Sequence, residues 1–381
     1  MDFMLGENQK MLVDDLHSFC EEEIKPYYDS HQFKHEGNFD WHLIQLLGKK
    51  NLICPSIPSK YGGLGLDMFT TTLLMEEISN FVPSLAAIIE TNIHSIQPIL
   101  LAGTEAQKNL VFSDCIGEGT CLLSYALTEP TGGSSLKSMY TFAEKTTGGY
   151  IINGYKSYIL NAPEAKYILL FAFTDQLHKK SSLRCFIVPT GTPGVKIDRK
   201  CQLSTLDYAR ISNISFENVF LPDDMVLKNN EPYSGYFLLH QTMDIGKALI
   251  AAASVGMARA AYTFAFGFSQ EREIAGKSIF QFQSIAHTFA DMATKIEMAR
   301  LLTWKASWLI DSGEDFAVAS SMAKLAASQI AQEIGACAMD TIGAAALVKG
   351  NPMERLWNDI RMLSIVEGTN NLQKDIIAAL L

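Results

Sequence analysis

The sequence lacks most of the signals that identify a chemistry at sight. Its seven cysteines, Cys20, Cys54, Cys115, Cys121, Cys185, Cys201 and Cys337, include no Cys-x-x-Cys pair and are odd in number. That pattern argues against a disulfide framework or a zinc site and for reduced thiols, with a cytoplasmic location expected. No run of Lys and Arg occurs, and the formal net charge is −10, so the basic footprint of a nucleic-acid binder is missing. The eight histidines form no His-Glu-x-x-His pair. There is no Gly-x-Ser-x-Gly elbow, no Gly-x-x-x-x-Gly-Lys-Ser/Thr loop, and no Gly-x-Gly-x-x-Gly between a strand and a helix. Metalloprotease and serine-hydrolase chemistry are therefore disfavoured, and a nucleotide, if bound, is held by neither a Walker loop nor a Rossmann turn. Met1 to Glu7 shows no basic segment followed by an apolar one, so no secretory leader is expected. Internal repeats and low-complexity segments are absent.

What is present is a well-packed globular composition: 381 residues, 48% hydrophobic and 19% charged, with mean hydropathy +0.09. A chain this long builds two or three packed subdomains rather than one core. The longest nearly apolar stretch, Ala248 to Phe268, is interrupted by Arg259 and dominated by small residues. It reads as a helix buried in a bundle, not as a membrane span.

The period of the hydrophobic pattern divides the chain into an α+β arrangement of three parts. Residues 1–118 carry apolar residues at helical spacing, as in Met11, Leu12, Leu16, Phe19 and Ile24, interrupted at Gly62-Gly63-Leu64-Gly65. Residues 119–232 change to strand texture. Asn153-Gly154 between two β-rich runs predicts a hairpin, and further strands are expected at Tyr167–Phe173, Arg184–Pro189 and Ile211–Phe220. No useful helix fits between them, so an antiparallel β domain is expected. Residues 233–381 return to helical periodicity rich in alanine, which predicts a tight four-helix bundle.

Two local segments stand out. Thr128-Glu129-Pro130-Thr131-Gly132-Gly133-Ser134-Ser135 combines hydroxyls and glycines, a composition that aims backbone N–H groups at a planar or anionic ligand but also makes plain connectors. Val366-Glu367-Gly368-Thr369 near the end of a helical region has the form of a helix C-cap on a solvated face. His94 and His287 lie within helical patterns, where a satisfied structural histidine is the expectation.

In order along nearly the whole chain, these and other segments resemble the acyl-CoA dehydrogenase family. Met1-Asp2-Phe3 and Tyr61-Gly62-Gly63-Leu64-Gly65 resemble its N-terminal helical domain, and Gly103-Thr104-Glu105-Ala106-Gln107-Lys108 its GTExQK segment. Ala126-Leu127-Thr128-Glu129-Pro130 with Gly132-Gly133-Ser134 is similar to its flavin-binding signature. Glu271-Arg272, Gly276-Lys277, Phe282-Gln283 and Ala290-Asp291-Met292 resemble its ER…GK…FQ…ADM helix. Pro352-Met353-Glu354-Arg355 and Val366-Glu367-Gly368-Thr369…Leu372-Gln373 resemble its C-terminal signature.

The resemblance implies FAD-dependent oxidation of the α–β bond of an acyl thioester to the trans-2-enoyl thioester, with Glu367 as the base that removes the α-proton. The α-proton is weakly acidic, so such a base must act while the enolate-like oxygen is stabilised; the Glu367 amide and Gly368 are implied there. By the same resemblance Tyr125, Leu127, Thr128, Gly133 and Ser134 line the flavin, and Tyr158 and Leu160 flank its ring. Arg272, Gln283, Asp340 and Gly343 reach its pyrophosphate and adenosine side, in this family often across a subunit interface. Thr369 and Gln373 contact FAD from the C-terminal segment. Ser134, Asp244, Lys247 and Gly368 are implied on the substrate, an acyl-CoA or an acyl carrier protein thioester. An electron-transferring flavoprotein is the implied acceptor, and a homodimer or homotetramer the implied assembly.

The sequence also departs from the family pattern. Ser135 replaces the usual Asp, Leu160 a Thr or Ser, Ile274-Ala275-Gly276 an aromatic stretch, Asp340…Gly343-Ala344 a Gln-Gly-Gly pattern and Lys247 an arginine. Two other readings share the fold: an oxidase or monooxygenase that uses oxygen, and a degenerate homologue that only binds.

Overall fold

A computed structural model describes residues 4–31, 38–117, 119–175, 177, 179–198, 201–227 and 235–381. Met1-Asp2-Phe3 lies outside the described residues, as do residue 118 and the segment 228–234, on which the expected part boundaries at 118 and 232 fall. The first part contains α1 (Glu7–Phe19), a wide turn at Cys20–Ile24, α2 (Lys25–Ser30), α3 (His42–Lys49), α4 (Met68–Phe81), α5 (Pro83–Ala102) and α6 (Glu105–Phe112). The starts of these helices are written locally. Asp67 accepts from the Thr70 amide at the head of α4, Pro83 occupies the first turn of α5, and Thr104 with Gln107 forms a reciprocal cap on α6. Gln107 does a second job: its Nε2 donates to the carbonyls of Asp224 (2.6 Å) and Val226 (3.0 Å), fastening this helix to the β domain. That gives the Thr-Glu-x-Gln segment a structural reason.

The middle part holds β1 (Leu122–Ala126), β2 (Phe142–Thr146), β3 (Gly149–Leu160), β4 (Ala165–Phe173), β5 (Leu183–Pro189), β6 (Val195–Ile197) and β7 (Ile211–Pro222). The order across the sheet is β1-β4-β2-β3-β7-β6, with β5 also on β4. Most pairs are antiparallel, as expected; β1 and β2 meet β4 in parallel.

The hairpin is not at Asn153-Gly154. The tight turn falls at Thr147-Gly148, and Asn153-Gly154 lies inside β3 at a break in register against β7. Asn153 there exchanges hydrogen bonds with Asn218, accepting from its backbone N–H at 2.8 Å. A Cβ on Gly154 would lie 2.5 Å from Thr141 Oγ1. The Asn-Gly pair thus serves a bulge and a close backbone approach rather than a turn.

The last part comprises α7 (Gly235–Glu271), the short ribbon β8 (Glu273–Ile274) and β9 (Lys277–Ser278), α8 (Gln283–Ser312), α9 (Ala317–Ile342), α10 (Pro352–Met362) and α11 (Asn370–Leu380). Alanines at 248, 251, 258, 261 and 265 of α7 and at 323, 327, 331 and 338 of α9 are buried in one cluster, which lets the two helices pack closely. α7 is also the keystone against the first part. A Cβ at Gly256 would lie 2.1 Å from the Glu76 carbonyl oxygen and 2.0 Å from Ser79 Oγ of α4, so only glycine fits. Arg259 and Arg300 converge on Glu76 at 3.0 and 2.8 Å, and Arg259 reaches Glu77 at 2.7 Å, locking α4 to α7 and α8. α5 and α7 are long and apolar enough to cross a membrane by length and composition, but 83% and 67% of their apolar windows are buried inside the protein. They are core helices.

Candidate active site

Glu367 is presented by the turn between α10 and α11, where it takes a left-handed backbone (φ 52°) followed by Gly368 (φ 82°). The turn is clamped from three sides. Gln373 Nε2 donates to the carbonyls of Glu367 (3.1 Å) and Gly368 (3.0 Å). Lys324 Nζ of α9 donates to the Gly368 carbonyl (2.8 Å) and to Asn370 Oδ1 (3.0 Å). Thr369 Oγ1 accepts from the Leu372 amide and caps α11. A non-glycine residue held at positive φ costs energy that the surroundings must supply, and such strain gathers at functional sites.

The result differs from a solvated helix cap. The Glu367 side chain is only 16% exposed and points at α5 and α7. A Cβ on Gly246 of α7 would fall 2.7 Å from Glu367 Oε2, so the missing side chain there makes room for the carboxylate. His94 Nδ1 lies 3.3 Å from Glu367 Oε1 and 3.7 Å from Glu90 Oε1. The ring of Tyr125, from β1, stacks on His94 with centroids 4.0 Å apart and planes 19° apart; its hydroxyl pairs with Thr242 of α7 at 2.9 Å. Glu367 Oε2 has no hydrogen-bond partner among the described residues.

Burial and the charge of Glu367 push the Glu90 carboxyl up to about 8. For His94, burial works against the charged form, but Glu367 and Glu90 outweigh it and raise the imidazole above its ordinary value. Burial lowers the Lys324 ammonium to about 8, against the pull of Glu367.

His94 is therefore not the satisfied structural histidine expected from its helical context: it is buried, Nε2 has no partner among the described residues, and Nδ1 faces the candidate base. Glu90 was not singled out by the sequence. The available signal was Glu90-x-x-x-His94, two ionisable residues four apart and hence on one face of the helical Leu85–Ile99 run.

The loop after β1 is held by a buried ion pair. Lys156 Nζ of β3 donates to Glu129 Oε1 (2.9 Å) and to the Leu127 carbonyl (3.0 Å). Glu129 also accepts from the amides of Tyr140 (2.7 Å) and Thr141 (3.0 Å). The Thr128 carbonyl accepts from the Ser157 amide at 2.9 Å. At Gly133 a Cβ would meet Thr128 Oγ1 at 2.7 Å, and Ser134 is exposed on the same loop. Tyr158 follows with φ 57° and 67% exposure, its amide held by Asn213 Oδ1 at 3.0 Å. A strained, exposed aromatic beside a hydroxyl-and-glycine loop suits a planar ligand. Leu160 ends β3 and offers no side-chain donor. The next residue, Asn161, is buried and donates to the carbonyls of Ile88 and Leu123, tying α5 to β1.

Other expected residues stand elsewhere. Lys247 is turned inward and paired with Asp244 (2.5 Å) and Ser321 (3.2 Å) rather than extended towards solvent. Arg272, Gln283, Asp340 and Gly343 are exposed at the end of α7, the start of α8 and the end of α9. At ~1.5 Å rise per residue, Arg272 lies about 39 Å along the helix from Gly246. That end of the bundle does not share one ligand site with Glu367 of the same chain.

Three family models match in sequence order: the acyl-CoA dehydrogenase N-terminal domain over residues 6–116, the middle domain over 124–219 and the C-terminal domain over 234–381. The chain belongs to the acyl-CoA dehydrogenase family. It is an oxidoreductase of the class acting on CH–CH groups. Among relatives, the short-chain specific acyl-CoA dehydrogenase of Bos taurus mitochondria is 33% identical over 98% of this chain and 90% of its own. A solved chain from work on the electron-transferring flavoprotein of Acidaminococcus fermentans and flavin-based electron bifurcation superposes with TM-score 0.94 at 32% identity, covering 100% of both chains. An FAD complex of PigA gives 0.91 at 26% identity over 100% of this chain and 99% of that one. Within this acyl-CoA dehydrogenase framework, the Glu367 turn, α5 and β1 meet through His94 and Tyr125.

Proposed function

We propose that the protein is an FAD-dependent dehydrogenase that converts an acyl thioester to its trans-2-enoyl thioester, with Glu367 removing the α-proton. The observation that carries this reading is the Glu367 carboxylate itself: largely enclosed, presented by a clamped left-handed turn, with one buried oxygen unpartnered among the described residues. The residues present fit the cofactor. Tyr158, the Thr128–Ser134 loop and Leu127 offer a planar face with hydroxyl and backbone donors, and Gln373 keeps a buried Oε1 without a partner among the described residues. Thr369 stands beside it on the same turn. When bound there, FAD supplies a two-electron acceptor for the β-hydride.

The chain's own residues do the rest. Glu367 takes the α-proton; the C–H bond breaks, an O–H bond forms, and the electron pair stays on the substrate to become the new double bond as the β-hydride leaves. The Glu367 amide makes no hydrogen bond among the described residues and is free to donate to the thioester carbonyl, where charge develops. The substrate is an acyl-CoA or an acyl group on a carrier protein, and an electron-transferring flavoprotein is the acceptor. The first is supported by the bovine relative and the second by the Acidaminococcus structure. Anaerobic titration with a panel of acyl-CoAs and the matching carrier-protein thioesters tests the reading: at least one must bleach the flavin, and bleaching by none sinks it.

Gly246 gives an independent check. Gly246→Ala places a methyl 2.7 Å from Glu367 Oε2, closer than the two atoms can sit, and displacing a base by about 1 Å costs up to ~10²-fold in rate. The variant should bleach correspondingly more slowly while holding its FAD; an unchanged rate would show that the base works from another position.

The distance from Gly246 to Arg272 makes the assembly part of the proposal. Arg272, whose fork suits a diphosphate, with Gln283, Asp340 and Gly343, would serve the FAD of a neighbouring subunit. A closed homodimer or homotetramer follows. Sedimentation of the FAD-loaded protein should give a dimer or tetramer, and Arg272→Ala should weaken FAD retention. A stable FAD-loaded monomer contradicts this part of the reading.

A further inference from the structure

We infer that Glu90 and His94 form, with Glu367, one proton-sharing cluster in which His94 positions the base through a single oxygen and Glu90 governs the charge against which that base works. The inference rests on the reading of Glu367 as the base. Its ground is geometric. One ligating atom from each of the three side chains lies within 4.8 Å of the other two. The imidazole stands between the two carboxyls, 3.3 Å from one and 3.7 Å from the other through the same nitrogen. Its plane is fixed by the Tyr125 stack, and Gly246 closes the far side, where an added Cβ would meet His94 Cε1 at 3.2 Å.

Glu90 Oε1, His94 Nε2 and Glu367 Oε2 have no hydrogen-bond partners among the described residues. Buried polar atoms without partners are costly, so their gathering around the base needs a reason. Proton sharing supplies one. His94 N–H can point to only one carboxyl at a time, and moving a proton among the three changes the charge that faces Glu367.

The charges that face the cluster come from each element packed around it. α7 brings the Asp244–Lys247 pair, which is internally neutralised. α9 brings Lys324, seated on the Gly368 carbonyl. β1 brings Tyr125, and β5 brings Cys185, a buried thiol raised by burial and so uncharged. Below about 8, Glu90 holds its proton, and Glu367 works beside an imidazole raised above its ordinary value. As pH rises through that value Glu90 becomes an anion, and the net positive charge of the groups facing Glu367 is reduced. The rate of substrate-driven bleaching should therefore rise through about pH 8.

Lys324 titrates in the same range, so the rate profile needs a second readout that reports on His94 alone. Nitrogen-15 NMR of the histidines in FAD-loaded protein provides it, with His94→Gln identifying the signal. The expected result is an imidazole that remains protonated above its ordinary range in the wild type. It should titrate at lower pH in Glu90→Gln and lower again in Glu367→Gln, because each substitution removes a carboxyl that raises it. Glu90→Gln should also remove the Glu90-linked rise from the bleaching profile, and His94→Gln should slow bleaching by up to ~10²-fold, the scale of a misplaced base. An imidazole in the folded wild type that titrates at its ordinary value, or one that ignores both carboxyl substitutions, overturns the cluster. Because the NMR titration needs no substrate, it stands even if no acyl-CoA bleaches the flavin, which separates failure of the cluster from failure of the assigned reaction.

Discussion

Glu367→Gln is expected to keep its FAD and to lose reduction of the flavin by acyl-CoA, by about 10²–10⁴-fold or more. The amide has the size of the carboxylate and can still accept from His94 at Oε1, so the turn clamped by Gln373 and Lys324 should stand. What it cannot do is take a proton. Loss of a positioned base removes an interaction made in the transition state rather than in the ground state, so substrate binding should change much less than the rate. Flavin absorbance after anaerobic mixing, with binding measured separately, reads both quantities. Bleaching at the wild-type rate would move the base to another residue.

The second large effect lies at Glu129. Glu129→Ala leaves the Lys156 ammonium fully buried without its carboxylate and strips two backbone amides of their acceptor. Removing one partner of a buried ion pair costs roughly 3–5 kcal/mol, and here the loop that carries Thr128 loosens with it. Denaturation midpoints should fall accordingly, and the purified variant should emerge poor in flavin. Burial opposes the charged form of Glu129, but Lys156, Thr141 and the Tyr140 amide outweigh it and hold the carboxyl below its ordinary value. A lowered folded value means that the stability is fully present above the ordinary carboxylate range and is lost as pH falls through the lowered one. Wild-type protein should thus release flavin on acidification, and the alanine variant should lack that acid-dependent component. A variant of wild-type stability and full flavin content would show that the ion pair merely fills space.

Much of the fold was legible because the three parts differ in hydrophobic period, and the period is set by local geometry. Asn153-Gly154 misled because its hairpin meaning belongs to a chain that turns there. In this protein Asn218 and Thr141, far away in sequence, make the pair a bulge, and the turn falls at Thr147-Gly148. The helix starts at Asp67, Pro83 and Thr104 were written in the residues themselves.

The site was legible in unequal measure. Local sequence chemistry made Glu367 a helix cap, and only the ordered motifs raised it to a base; its burial depends on Gly246 and α5, which no local window contains. The Glu90-x-x-x-His94 spacing was visible, but its meaning was not, since it comes from facing Glu367 across two elements. Arg272, Gln283, Asp340 and Gly343 show the converse. Their motif was readable, but the length of α7 sets them apart from Glu367 of their own chain.

The most direct test of the account compares an α-dideuterated acyl-CoA with its unlabelled form in anaerobic mixing with the FAD-loaded protein, using whichever acyl group bleaches the flavin. If Glu367 removes the α-proton as the β-hydride leaves, bleaching by the deuterated thioester is markedly slower, and Glu367→Gln is nearly silent with both. Equal rates for the two thioesters, together with undiminished bleaching in the variant, would contradict it.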